Sequence, residues 1–333
     1  MQLEKRKELL IRLGDYLISK DEAWKEIKAK AQGENGWFIQ EFIESSVQSI
    51  AHNYLQPDAI DKLIRKYKLG ELIKEPKMVG VVMAGNIPMV GFHDLLCVFL
   101  SGHKAMIKLS SKDDALLRHV VAKLTGWNQE VSEYIIISEL LKNCDAYIAT
   151  GSNNTSRYFE YYFQKYPHII RKNRTSVAVL TGTETSEDLL ALADDVYQYF
   201  GLGCRNVTKI YVPTGYDFVP LLEAFRKYDY LINHNKYKNN YDYQLAIHLL
   251  NNKFYMTNDS LLVIEDSSFF SPISQLNYEY YVDLKEVQKK LHDNEAIQCV
   301  VSDESTGFGK AQKPGITDFA DGVDTMAFLL SLA

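Results

Sequence analysis

A chain of 333 residues is long enough for two domains of ordinary size. With 46% apolar and 24% charged residues it has the balance of a globular protein with an ample core. A formal net charge of −6 offers no basic footprint for nucleic acid, so no nucleic-acid partner is expected.

Four widely spaced cysteines, Cys97, Cys144, Cys204 and Cys299, form no CxxC and no His/Cys pairing. Neither a metal site nor a disulfide framework is indicated, and reduced thiols fit a cytoplasmic protein. The start, Met1 to Arg6, is polar and helical in pattern, unlike a signal peptide. No apolar run approaches the roughly 18 residues that a membrane span needs. The 22 tyrosines have no Lys/Arg track beside them and suit interfaces better than base stacking.

In chain order, helical spacing of apolar residues covers 2–20, about 21–31, about 37–52 and Pro57 to Tyr67. This helical segment carries no chemical motif and reads as a cap or partner-docking layer. The pattern then changes. Met78 to Met83 is a continuous apolar run, the mark of a buried parallel strand, and it ends at Ala84-Gly85-Asn86-Ile87-Pro88. A helix is expected over Met89 to Leu100, then a strand over Lys104 to Leu109 that ends in Ser110-Ser111-Lys112-Asp113-Asp114. Asp113 or Ser111 can cap the next helix, Ala115 to Leu124. A strand over Cys144 to Ala149 ends in Thr150-Gly151-Ser152, ahead of a helix from Thr155 to Tyr166. Ser176 to Leu180 is a further strand.

Leu189 to Phe200 is amphipathic and leads into Gly201-Leu202-Gly203-Cys204-Arg205-Asn206, then a strand from Val207 to Val212. Cys204 thus falls on a glycine-flanked bend between helix and strand. Such a bend lets a second group approach a thiol closely. Cys204 is either a nucleophile or a small buried apolar cysteine. Further on, a helix is expected over Phe218 to Tyr228, a loop over Asn233 to Asn240 and a helix over Tyr243 to Leu250. A strand over Ser260 to Ile264, a helix over Leu284 to His292 and a strand over Ile297 to Val301 follow. Repeated strand, turn and helix units imply doubly wound parallel sheets, in which ligands sit beyond the carboxyl ends of the strands.

Four blocks in order resemble the aldehyde dehydrogenase superfamily, and within it the LuxC-type acyl-CoA reductases. They are Ala84-Gly85-Asn86-Ile87-Pro88, Ser101-Gly102-His103 through Lys108-Leu109-Ser110, Thr150-Gly151-Ser152, and Gly201-Leu202-Gly203-Cys204. The resemblance covers roughly residues 78–310. It implies an α/β, aldehyde dehydrogenase-like fold with parallel sheets in two domains and an N-terminal helical segment. The N-terminal helices plus the nucleotide-binding domain would span 1–183 and the catalytic cysteine domain 184–333. Cys204 would be the nucleophile, and Asn86 with the Cys204 backbone N–H the oxyanion donors. Lys108, Ser110, Ser111, Thr150, Gly151 and Ser152 would bind the cofactor.

Two departures qualify this. The superfamily's catalytic glutamate should fall just before Ser176, where the chain has Ile169-Ile170-Arg171-Lys172-Asn173-Arg174. Its absence points away from hydrolysis and towards acyl transfer to or from a thiol. Ser111 stands where NAD-preferring members carry a ribose-binding glutamate, so NADPH is acceptable. The expected function is NADPH-dependent reduction of an acyl-CoA or acyl-protein donor to an aldehyde. An acyl relay on the same cysteine, or a non-catalytic partner of an acyl-activating enzyme, stays open, as does a homo-oligomer. Each residue also has a plainer role: an Asx turn for Asn86, a solvated strand end for Lys108, a helix cap for Ser152. His93, His103, Cys97 and Cys144 suit the core, and Arg205 either lowers a thiol pKa or faces solvent.

Overall fold

The computed structural model describes residues 1–332, the side chain at position 153 excepted. Two compact units divide the chain: Met1–Asn173 with Pro314–Ala333, and Arg174–Lys313.

The first unit opens with helices α1 (Leu3–Leu17), α2 (Glu22–Glu34), α3 (Gln40–Asn53) and α4 (Pro57–Tyr67). Their ends have local causes. The Asp21 carboxylate accepts the N–H of Trp24 and caps α2. Pro57 starts α4, and Lys68 closes it in the left-handed region at φ 50°. The helices expected as a cap or partner-docking layer pack directly on the sheet. Leu13, Leu17, Trp24, Ile43, Val47 and Leu63 are buried in one core with the sheet residues Val79, Val81 and Ile107.

The sheet follows: β1 (Met78–Val82), α5 (Phe92–Ser101), β2 (Lys104–Lys108), α6 (Ala115–Trp127), the one-turn α7 (Val131–Tyr134), β3 (Ile135–Ile137), β4 (Ala146–Thr150), α8 (Asn153–Phe163) and β5 (His168–Arg171). The five strands are parallel, in the order β3-β2-β1-β4-β5. At three and four residues, β3 and β5 are too short to show a hydrophobic period, which is why the sequence hides them. Cys144 lies ahead of β4 rather than in it and is buried.

The second unit contains β6 (Thr175–Val179), α9 (Ser186–Tyr197), β7 (Val207–Pro213), α10 (Val219–Phe225), a 3₁₀ stretch over Arg226–Asn233, α11 (Asn235–Leu250), β8 (Met256–Thr257), β9 (Leu262–Glu265), β10 (Gln275–Tyr281), α12 (Leu284–Leu291) and β11 (Ile297–Val301). The sheet order is β11-β6-β7-β10-β9-β8, parallel except for the edge pair β8–β9. The loop expected over 233–240 is instead the start of α11. Buried Tyr237 and Tyr241 anchor it, and the Tyr237 hydroxyl donates to the Ser260 carbonyl, so packing overrides a polar, Asn-rich composition. β10 also escapes the sequence, because polar Gln275, Asn277 and Glu279 break its apolar run. Each is satisfied inside: Asn277 donates to the carbonyls of Ser268 and Phe270, and Glu279 pairs with the buried ammonium of Lys209 at 2.6 Å.

The strand at 175–179 pairs with β7 and β11, so it belongs to the second sheet although a division at 183 would separate them. After Lys313 the chain returns to the first unit as α13 (Thr325–Leu330). Arg171, buried at the end of β5, binds this tail: it donates to Asp94 at 2.5 Å, to Thr325 Oγ1 at 2.9 Å and to the Ala320 carbonyl at 2.8 Å.

Candidate active site

In the first unit the predicted residues collect at the carboxyl edge of the sheet. Val82 of β1 is in register with Lys108 of β2 and Ala149 of β4, so Lys108 and Thr150 flank the turn that carries Asn86. Asn86, Lys108, Ser111 and Ser152 are exposed; Ser110, Thr150 and Gly151 are half-buried. Gly85 fixes the spacing of two turns. A Cβ there would lie 2.5 Å from Ser110 Oγ and 2.7 Å from Ser110 Cβ, so only glycine lets them close on each other. Ser46 Oγ donates to the Pro88 carbonyl at 2.6 Å, and Asn35 Nδ2 to the Lys112 carbonyl at 3.0 Å. The N-terminal helices therefore brace both turns, a role with no motif to announce it.

Asp113 corrects an expectation. Neither it nor Ser111 caps α6; the N-cap position is Asp114, which makes no capping bond and pairs with Arg118. Asp113 turns inward and accepts the N–H of Met89 at 2.6 Å, in a turn where Met89 holds φ 56°. Burial pushes its carboxyl up to about 7, against the pull of that N–H. The groups offered at this edge include the exposed ammonium of Lys108, the exposed hydroxyl of Ser111 and the half-buried hydroxyl of Ser110. Ser152 accepts the N–H of Thr155 and caps the eleven-residue α8 at 3.3 Å. Cation, hydroxyls and a helix amino end suit the phosphates of a dinucleotide, including one on the ribose.

Cys204 lies in the second unit, at the amino end of β7, and is half-buried. α9 ends at Tyr197. Then Tyr199, Phe200 and Gly201 all take left-handed conformations, at φ 55°, 58° and 74°. For non-glycine residues that conformation costs roughly 1–2 kcal/mol each. Burial of both aromatic side chains offsets it, with the Phe200 ring 4.6 Å from that of His234. Next comes a closed turn. Asn206 N–H donates to the Gly203 carbonyl at 3.1 Å, and Gly203 N–H donates to Asn206 Oδ1 at 2.8 Å. Cys204 sits at the tip of that ring.

Two neighbours of the cysteine carry no sequence signal. Ser176 Oγ donates to the Cys204 carbonyl at 3.1 Å and lies 3.0 Å from Cys299 Sγ. Burial raises the Cys299 thiol, while Ser176 and Arg205 act to lower it, so Arg205 acts on this second thiol. Asp195, fully buried in α9, accepts the N–H groups of Gly309 at 2.7 Å and Ala311 at 3.0 Å; burial raises it to about 7. A cavity of about 360 Å³ opens between α12 and the carboxyl ends of β6 and β11, lined by Val179, Leu284, Leu291, Val300, Asp303 and Glu304. It lies at the opposite strand ends from Cys204.

The remaining candidates are structural. His103 Nδ1 accepts the N–H of Lys77 and Nε2 donates to the Leu329 carbonyl, and burial lowers its pKa, so it is a neutral clamp on the tail. His93 bonds the Ile316 carbonyl. Where the superfamily's glutamate was expected, Arg171 is buried in its ion pair with Asp94. Glu184 accepts from Thr181 N and Oγ1 and from Gly182 N at the carboxyl end of β6. α9, about 18 Å long at 1.5 Å per residue, separates that end from the cysteine turn. Among the described residues no His/Cys/Asp/Glu cluster could hold a metal, and no helix is long and apolar enough to cross a membrane.

A family model, acyl-CoA reductase (LuxC), matches residues 44–221, more than half of the chain. The chain belongs to the LuxC acyl-CoA reductase family. As a LuxC-family protein it is an oxidoreductase. No curated protein matches it in sequence. Solved structures share its fold at low identity. Aldehyde dehydrogenase 21 of Physcomitrella patens, in complex with the reaction product succinate, matches with a TM-score of 0.65 at 12% identity, over 97% of this chain and 79% of that one. An oxidoreductase of Marinobacter aquaeolei matches with a TM-score of 0.65 at 14% identity, over 89% and 72%. A mutant aldehyde dehydrogenase C of Pseudomonas syringae, complexed with NAD⁺ and octanal, matches with a TM-score of 0.61 at 12% identity, over 86% and 69%.

Proposed function

We propose that this LuxC-family protein reduces an acyl thioester, from acyl-CoA or an acyl-protein donor, to an aldehyde through an acyl-enzyme on Cys204, with NADPH as reductant. The closed turn that holds a half-buried cysteine at its tip carries the proposal. Cys204 Sγ bonds to the acyl carbon, the bond from that carbon to the donor sulfur breaks, and the donor leaves as a thiolate. A thiolate needs no proton to depart, so no general acid is required. The Asn86 amide and the Cys204 N–H are the donors for the oxyanion, each worth roughly 3–4 kcal/mol when aligned. Lys108, Ser110, Ser111, Thr150, Gly151 and Ser152 hold the dinucleotide, which when bound supplies the hydride that takes the acyl carbon to the aldehyde.

The buried Arg171 and the fully engaged Glu184 support thiol transfer over hydrolysis, because neither is a carboxylate at hand to activate water. The donor is expected to come from an acyl-activating enzyme. NADPH consumption with a panel of acyl-CoAs of increasing chain length tests the proposal, together with intact mass in the absence of NADPH. Wild type should show a single acyl adduct that disappears when NADPH or free thiol is added, and Cys204→Ser should show none. An adduct without NADPH consumption would make the protein a relay. Rapid release of free acid without cofactor would reveal a hydrolytic base and defeat the proposal.

A further inference from the structure

We propose that Asn206 and Ser176 are positioning residues that hold Cys204 in its reactive geometry; this rests on Cys204 being the nucleophile. Asn206 is fully buried and uses every polar atom it has. Its N–H and Oδ1 close the ring with Gly203. Its Nδ2 reaches the carbonyls of Gln198 at 2.8 Å, Asp195 at 3.1 Å and Val196 at 3.3 Å. Its own carbonyl accepts from Ser176 N–H at 3.1 Å and from Thr175 Oγ1 at 3.3 Å. One side chain thus ties the end of α9, the left-handed run and the cysteine turn to each other, and its backbone ties them to β6.

Ser176, also buried, acts one bond closer. Its hydroxyl donates to the carbonyl of Cys204 itself and takes the N–H of Cys299 at 3.3 Å. Electrostatics gives Asn206 a second task. The carboxyl end of a helix carries partial negative charge, which disfavours a thiolate nearby. The Asn206 amide occupies the last carbonyls of α9, so the turn that follows is not left beside unpaired acceptors. Aspartate in its place keeps the shape and the acceptor for Gly203 N–H, but sets an acceptor against three carbonyls.

The two residues should differ in grade. Ser176→Ala frees one carbonyl and should slow acylation of Cys204 by acyl-CoA about tenfold; Ser176→Thr, which keeps the oxygen, should restore it. Asn206→Ala and Asn206→Asp free the whole turn and should cost about a hundredfold, the effect of a misplacement of ~1 Å. Both Asn206 variants should also move the pH midpoint of Cys204 alkylation by iodoacetamide upward, with the NADPH dissociation constant within twofold of wild type. A purely structural role would lower the melting temperature without moving that midpoint. Should Asn206→Ala not fold, the Ser176→Ala and Ser176→Thr pair decides. Wild-type acylation rates and alkylation profiles in Ser176→Ala and Asn206→Asp, with Cys204→Ser inactive, overturn the positioning role alone. Activity in Cys204→Ser overturns the nucleophile and this proposal with it.

Discussion

The two units set their candidate chemistry at opposite ends of their strands. In the first, Asn86, Lys108 and Thr150 follow or close the carboxyl ends of β1, β2 and β4. In the second, Cys204 precedes the amino end of β7. The carboxyl end of a parallel strand leads towards a helix amino end, where free N–H groups and partial positive charge favour anions. The turns there hold a single left-handed non-glycine residue, Met89, and leave Asn86 and Lys108 exposed and Thr150 half-buried. The amino end of a strand follows a helix carboxyl end, where the field is adverse to a thiolate. The second unit meets this with three successive left-handed residues, a buried asparagine and a serine on the next strand. The turn that carries Asn86 holds one left-handed residue, Met89, whereas the segment ahead of Cys204 holds three in a row.

The comparison breaks most sharply at Cys204. Cys204→Ser should lower acyl-CoA-dependent NADPH oxidation by more than about a thousandfold, since a neutral hydroxyl without a base is a poor nucleophile. NADPH fluorescence titration should return a dissociation constant within twofold of wild type. Survival of a tenth of the activity would remove the thiol from the chemistry.

Asn86→Ala should reduce the acylation rate by about a hundredfold, the loss of one oxyanion donor. The rate of Cys204 alkylation should stay at the wild-type value, because the hydrogen bonds that close the cysteine turn run between Gly203 and Asn206 and on to Ser176 and the end of α9. A parallel fall in alkylation would show that the two regions do not act separately.

Lys108→Ala should raise the Michaelis constant for NADPH about tenfold more than that for NADH, which corresponds to ~1.4 kcal/mol for one charge-assisted contact. Equal changes for both cofactors would take Lys108 out of the phosphate site and leave it a solvated strand end.

The smallest effect concerns acid stability, where the units are alike. Asp113 and Asp195 are both buried, and burial lifts each to about 7. The folded state therefore holds a proton that the unfolded chain, at a carboxyl pKa near 4, would release. Stability from these groups is full below about pH 4 and is lost as pH rises to about 7. The Asp195→Asn variant should flatten the fall in melting temperature between pH 5 and pH 7, as should Asp113→Asn. An unchanged slope in both would show that the carboxylates are ionised throughout.

What was legible in the sequence follows the same divide. The long apolar strand at 78–82 and its turn, the strand at 104–108 and the cap at Ser152 could be read, because each couples a strong local pattern to a breaker. The position of Cys204 between helix and strand was legible through Gly201 and Gly203. Its support was not. Asn206 looks like a turn residue, Ser176 like the start of a strand, and Tyr199 and Phe200 like the last turn of a helix. Their roles arise from hydrogen bonds to segments 8–28 residues away. Asp113 misled because a local cap and a buried acceptor look identical in sequence. Arg171 first registers only as a missing glutamate, and the structure gives it a positive task.

That task has a bearing on how the chain comes off the ribosome. Asp94, His93, His103 and Arg171 are made early, yet the groups they bind, at Ile316, Ala320, Thr325 and Leu329, are made more than 140 residues later than Arg171. Until then a guanidinium sits at the end of β5 with its hydrogen bonds to Ala320 and Thr325 unmade, and Met326 and Leu329 are missing from the core. The whole cysteine-bearing unit is synthesised inside that interval. The first unit must therefore wait, open along one side, while the second folds, and premature termination within 314–330 would harm the half of the protein that was translated first.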